Sequence, residues 1–96
     1  MDVYELINSK RGEIHALAKR FGAKNIRIIG SVARHEAHDK SDIDLLVEFA
    51  PTVSLLSHAA FQRELTMILG REVDVASVHG LKDKVRPSVL KDAIPL

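Results

Sequence analysis

The 96-residue sequence contains no cysteine. That excludes a disulfide framework and a thiolate metal site, and it suits a reducing compartment. Charge of one sign is also missing: 14 Lys+Arg stand against 13 Asp+Glu, for a net charge of +1. A generic nucleic-acid coat would draw on a strong basic excess, so no direct nucleic-acid binding is expected, a small local basic patch aside. No apolar run approaches the ~18–20 residues of a membrane span. The opening residues MDVYELINSKRGE lack the apolar stretch of a signal peptide. Repeats and low-complexity segments are absent as well. What is present is 46% hydrophobic residues, enough to close one compact core with a modest stability margin. The expectation is a single domain over 1–96, cytoplasmic and without a membrane.

Periodicity supplies the elements. Val3, Leu6, Ile7, Ile14, Leu17, Ala18 and Phe21 form one stripe at helical spacing, which predicts an amphipathic helix over 3–21. Asp2 and Glu5 resemble a capping box, Gly22 stands where a terminating glycine belongs, and Gly12 is an interior flaw. Asn25–Ile29 is short and β-branched, hence a strand. Residues 32–41 are polar and irregular, with room for one helical turn at Val32–His35. Asp42–Phe49 predicts a second strand, too continuously apolar for a solvent-facing edge and so central. Residues 54–69 predict a helix capped by Ser54 and stopped by Gly70. It carries two apolar rows, Leu56/Ala60/Met67 and Phe61/Leu65/Ile68, and is therefore either deeply buried or shared with a partner.

Glu72–Ala76 alternates as a third strand. From Leu81 onward, Val85, Val89, Leu90, Ala93 and Ile94 recur at helical spacing, with Pro87 either interrupting the run or starting a new helix. The order α-β-turn-β-α-β-α predicts an α/β (α+β) domain, with helices packed on a small mixed sheet. Strands one and two should pair antiparallel, and strands two and three can run parallel through the helical crossover.

The chemistry concentrates in Gly30-Ser31-Val32-Ala33-Arg34 and Ser41-Asp42-Ile43-Asp44. Strand alternation puts Asp42 and Asp44 on one side. Two such carboxylates repel, and a hard divalent cation, Mg²⁺ with oxygen ligands, resolves the conflict. Asp74 repeats the pattern on the third strand. Were that strand adjacent, three carboxylates would gather into a two-metal site suited to phosphoryl transfer. Gly30 permits a tight turn and close backbone approach. Ser31 and the first N–H groups of a following helical turn would make an anion-binding end. Arg34 is near enough in sequence to neutralise further phosphate charge. Two separated anchors suit a nucleoside triphosphate. Each element alone has an ordinary reading: a solvated Asp-x-Asp turn, a strand-to-turn Gly-Ser, a surface acid on an edge strand. Their combination in this order does not.

With GSVAR, SDIDLLVEF and REVDVAS in that order, the sequence resembles the nucleotidyltransferase superfamily that includes DNA polymerase beta and kanamycin nucleotidyltransferase. It is most similar to the minimal nucleotidyltransferases of prokaryotes, over nearly the whole chain. The resemblance implies that Asp42 and Asp44 ligate two Mg²⁺ ions. Asp74 would be a third ligand helping to activate an acceptor hydroxyl, and Gly30 and Ser31 would hold pyrophosphate leaving ATP. Val32 and His35 depart from it, standing where the family often has an aromatic or arginine and a glycine. Larger relatives carry extra domains for the acceptor, so here the acceptor should come from another chain. Minimal members are typically encoded beside a HEPN protein and act as its antitoxin. The resemblance thus implies AMP transfer to a tyrosine of a HEPN ribonuclease. Alternatives are occlusion of that partner without catalysis, and transfer to a small molecule.

Other signals carry less. Asp39, Asp42 and Asp44 lack the turn glycine and distal glutamate of a calcium loop. The histidines form no HExxH arrangement, and Ser31 sits in no G-x-S-x-G elbow. Lys82, Lys84, Arg86 and Lys91 read as a solvated helix face, with contact to nucleotide or an acidic partner surface as the second reading.

Overall fold

The computed structural model describes residues 2–38 and 40–96; Asp39, inside the polar loop 32–41, lies outside them. The Asp2 carboxylate accepts the Glu5 N–H at 2.7 Å and caps α1 (Val3–Ser9). The helix expected to run to 21 breaks at Lys10, whose backbone (φ −105°, ψ 10°) turns its N–H back to Ile7 O at 3.1 Å. A second helix, α2 (Arg11–Arg20), follows at once, so the flaw lies at Lys10 and Gly12 sits inside α2. The break leaves the hydrophobic seam intact, because Ile7, Ile14, Leu17 and Ala18 are all buried.

β1 spans Ala23–Ile29, beginning two residues ahead of the expected strand. Asn25 takes the left-handed conformation there (φ 52°), and the pairing register slips between Lys24 and Arg27. That is a bulge, and asparagine tolerates it better than most residues. A single helical turn, α3 (Gly30–Ala33), starts at Gly30 itself rather than at Val32. β2 (Ile43–Phe49) leads to α4 (Leu55–Leu69), where Ser54 Oγ accepts the Ser57 N–H at 3.1 Å and Gly70 closes the helix.

β3 (Val73–Ser77) and a 3₁₀ turn (Val78–Gly80) come next. α5 (Arg86–Asp92) carries Pro87 in its first turn, so proline starts a helix here. Ala93 and Ile94, expected in that helix, leave it: Ile94–Pro95 form β4, with Ile94 paired to Ile28. A partner strand 66 positions upstream outweighs local helical spacing, and a neighbourhood of sequence cannot show that. Arg86 also departs from the expected solvated face. Its Nη2 donates to Val78 O (3.4 Å) and Leu81 O (3.2 Å), and Nη1 lies 3.4 Å from the Asp83 carboxylate, tying the 3₁₀ turn to α5.

The sheet order is β3-β2-β1-β4, with β2 antiparallel to β1 and parallel to β3. β2 is therefore interior, as its composition demands. Ile43, Leu45 and Val47 are 0% exposed and join Ile14, Phe61 and Leu65 in the core. Asp44, Leu46 and Glu48 alternate onto the opposite face. The outer edge of β3 is closed by polar side chains of α4. Thr66 Oγ1 accepts from Val73 N–H (3.3 Å), Gln62 Oε1 accepts from Val75 N–H (2.8 Å), and His58 Nε2 bonds Val75 O (2.7 Å). An open edge would otherwise template aggregation. Of the two apolar rows of α4, Phe61/Leu65/Ile68 packs inward, whereas Leu56 (84%) and Met67 (76%) face outward beside Leu55 (86% exposed). Among the described residues no helix is long and apolar enough to cross a membrane.

Candidate active site

Sheet register assembles the acids. Asp44 lies opposite Asp74 across the parallel β2–β3 pair, and opposite Ile29, the last residue of β1, on its other side. Partners in such a pair share a face, so both carboxylates leave the same surface of the sheet. Asp42 precedes β2, outside the strand in which alternation would place it, and its charge is felt at Asp44. Asp44 is partly buried, whereas Asp42 and Asp74 are exposed.

The electrostatics of Asp44 reflect these neighbours. Burial holds the Asp44 carboxyl above the ordinary carboxylate range, the charges of Asp74 and then Asp42 push it further up, and Arg34 pulls it down. Arg34 thus reaches the field of the acids although its Nε pairs with Glu36 at 3.2 Å, an exposed contact worth little by itself.

Gly30 completes the arrangement. Its φ is +71°, and a Cβ there would lie 2.5 Å from Asp44 Oδ2 and 3.3 Å from Asp44 Cβ and Cγ. Backbone closes on the carboxylate where only glycine fits, then turns directly into α3, with Ser31 in its first turn. Among the described residues no three acidic or histidine side chains enclose an ion as they stand. The donor set is nonetheless all carboxylate oxygen, with Asp44 raised by burial and by the charges of Asp74 and Asp42. That chemistry fits a hard divalent cation. Asp42, Asp44 and Asp74 would hold it, and the exposed pair have the rotamer freedom to close on it.

His35 has a left-handed backbone (φ 58°), a conformation that glycine adopts more readily, and its ring stands beside Tyr4 with centroids 6.2 Å apart. His38 and Ser41 close a tight turn just before Asp42: Ser41 N–H donates to His38 O and His38 N–H to Ser41 Oγ, both at 2.9 Å. Arg71 meets this turn from the start of β3, donating to His38 O and Ser41 O. Sequence patterning gave no sign of that role, because the acceptors are main-chain atoms about 30 positions away.

The acids line neither of two hollows in the surface. A groove of about 1060 Å³, lined by residues including Lys19, Phe49, Val53, Leu55 and His58, lies at the far ends of β1 and β2. A cavity of about 250 Å³ lies beside α3, between Tyr4, Val32, His35, His38 and Arg71. The carboxylates instead occupy an open surface at the starts of β2 and β3.

This chain matches the nucleotidyltransferase domain family over residues 13–96. Protein adenylyltransferase MntA of Thermococcus cleftensis is 36% identical to it, over 81% of this chain and 79% of that one. A solved minimal nucleotidyltransferase is 44% identical and superposes with a TM-score of 0.89, over 100% of this chain and 97% of its own. A toxin–antitoxin crystal structure with AMP-PNP shares the fold at 21% identity and a TM-score of 0.75, over 88% of this chain and 69% of that one. With a family match across most of its length and a solved relative aligned end to end, the chain belongs to the nucleotidyltransferase family.

Proposed function

We propose that this nucleotidyltransferase transfers AMP from ATP to a tyrosine of a HEPN ribonuclease encoded nearby, and so serves as that toxin's cytoplasmic antitoxin. The acceptor oxygen bonds to the α-phosphorus, the α–β anhydride bond breaks, and pyrophosphate leaves. Two Mg²⁺ ions, held by Asp42 and Asp44 with Asp74 on one of them, would neutralise phosphate charge when bound. Asp74 stands nearest the sheet edge and is the group to accept the acceptor's proton. The Gly30–Ser31 turn offers N–H groups and a hydroxyl to the departing pyrophosphate, while Arg34 adds positive charge. Gly30, lacking a Cβ, lets the phosphate-binding turn pass close against Asp44, so the two anchors lie side by side before substrate arrives.

The observation that carries this reading is the in-register Asp44–Asp74 pair with Gly30 closed against Asp44. The open setting of the acids supports a macromolecular acceptor, since neither hollow described above is lined by the carboxylates. The name of the Thermococcus relative and the fold shared with a toxin–antitoxin structure support a protein acceptor in particular. Leu55, Leu56 and Met67 on α4, with Val85 and Leu90 around α5 (44% and 37% exposed), are the apolar surface offered for contact.

The test mixes the purified chain with its HEPN neighbour, ATP and Mg²⁺, and follows intact mass. AMP-sized increments on the neighbour are expected, slowed at least about a hundredfold by Asp42→Asn with Asp44→Asn. Should the double variant still silence the ribonuclease fully, without increments, occlusion replaces catalysis. Labelling of a small molecule in the absence of any protein would move the acceptor to that class.

A further inference from the structure

We propose that Arg71 is the positioning residue of the acid site: its guanidinium ties the carbonyls of His38 and Ser41 to the start of β3 and so fixes where Asp42 stands relative to Asp44 and Asp74. This rests on the reading of those three acids as cation ligands.

The three carboxylates are not held equally. Asp44 and Asp74 sit within paired strands, where the ladder fixes their backbones. Asp42 precedes β2 and has no ladder position of its own. Its placement depends on the chain before it, a turn already closed on itself by the bonds between His38 and Ser41. Lys40 N–H adds a further bond to His38 Nδ1 at 3.2 Å. Closing the turn leaves the carbonyls of His38 and Ser41 directed toward Arg71, and Nη2 donates to both. Ser41 is covalently next to Asp42, and Arg71 lies three residues before Asp74. Beside this bridge, Ile43 N–H donates to Glu72 O at 2.9 Å, the first main-chain link between the two segments. One side-chain tether and one main-chain tether thus join the approaches to β2 and β3.

Arg71 works through geometry, not charge. The cation that opposes the upward displacement of Asp44 is Arg34, and Arg71 is not among the groups acting on that carboxyl. Its donors go to neutral carbonyls, a role in which outer groups orient metal ligands without touching the ion.

Arg71→Met keeps the length and apolar stem but removes the donors, and Arg71→Lys restores a cationic donor on a shorter arm. Two readouts need no turnover. Mn²⁺ titration of the free chain by electron paramagnetic resonance should show ten- to a hundredfold weaker binding in Arg71→Met, partly recovered in Arg71→Lys. Amide exchange without metal should show lost protection at Ile43, with Leu45 and Val47 unchanged. Equal Mn²⁺ affinity and equal Ile43 protection in wild type and Arg71→Met overturn the proposal while leaving the acid site standing. A folded wild type that binds no Mn²⁺ sinks the acid site and this proposal with it. If Arg71→Met does not fold, Arg71→Lys decides by the same two measurements: wild-type values for both overturn the role, and intermediate values support it.

Discussion

The two faces of β2 differ sharply at Asp44. Ile43, Leu45 and Val47 turn one way and are wholly buried. One step out of phase, Asp44 emerges half-buried, and that burial, with the charges of Asp74 and Asp42, lifts its pKa. A single strand therefore supplies the centre of the core and the centre of the site, divided only by the two-residue alternation of side chains. Substitutions on the two faces are expected to move stability in opposite directions.

The largest effect belongs to the core face. Leu45→Ala should cost about 2–5 kcal/mol, read from the midpoint of urea unfolding. A loss below about 1 kcal/mol would mean that this face carries less of the core than its burial indicates. An intermediate effect lies where the acid face meets backbone. Gly30→Ala brings a methyl against Asp44 Oδ2 as well as demanding left-handed backbone, and should cost about 2–3 kcal/mol. Gly70→Ala imposes the same backbone demand with nothing within 4 Å, and should cost about 1 kcal/mol. Equal losses at the two glycines would remove the close approach to Asp44 from the account.

The smallest effect has the opposite sign. The Asp44 carboxyl titrates above its ordinary 3.8 in the folded state. Between 3.8 and the folded value the native state binds more protons than the unfolded one, so stability falls as pH rises through that window and recovers on acidification. In chelator at neutral pH, Asp44→Asn should stabilise the chain by up to about 1 kcal/mol and flatten this pH dependence. A destabilised Asp44→Asn under those conditions would show that the carboxylate is held by favourable bonds rather than strained by its neighbours.

How much of this was legible beforehand follows from the range of each interaction. Asp2 with Glu5, Ser54 and Gly70 act within one helical turn, and all were readable. The pairing directions followed from connection lengths, and the interior place of β2 from its composition. The break at Lys10 was hidden because both halves of the helix keep one continuous seam of Ile7, Ile14 and Leu17. β4 was hidden because Ile94 answers to Ile28, and the bulge at Asn25 because it compensates register rather than burial. The acid surface was legible as residue types at strand spacing. Its closure was not: the contact of Gly30 with Asp44 and the reach of Arg71 to Ser41 are tertiary facts, with main-chain atoms as one party. The bonding of His58, Gln62 and Thr66 to β3 escaped for the same reason, since the spacing of their polar heads looks like any solvated row.

The in-register placement of Asp44 and Asp74 has a further consequence. Neighbouring strands stand about 4.8 Å apart whatever their sequence, so the spacing between these two side-chain roots is a dimension of the pleated lattice, not a property tuned residue by residue. Loops may lengthen and surface helices may be redecorated without moving it. New acceptors can therefore be explored through the exterior while the interval between the two roots is inherited unchanged.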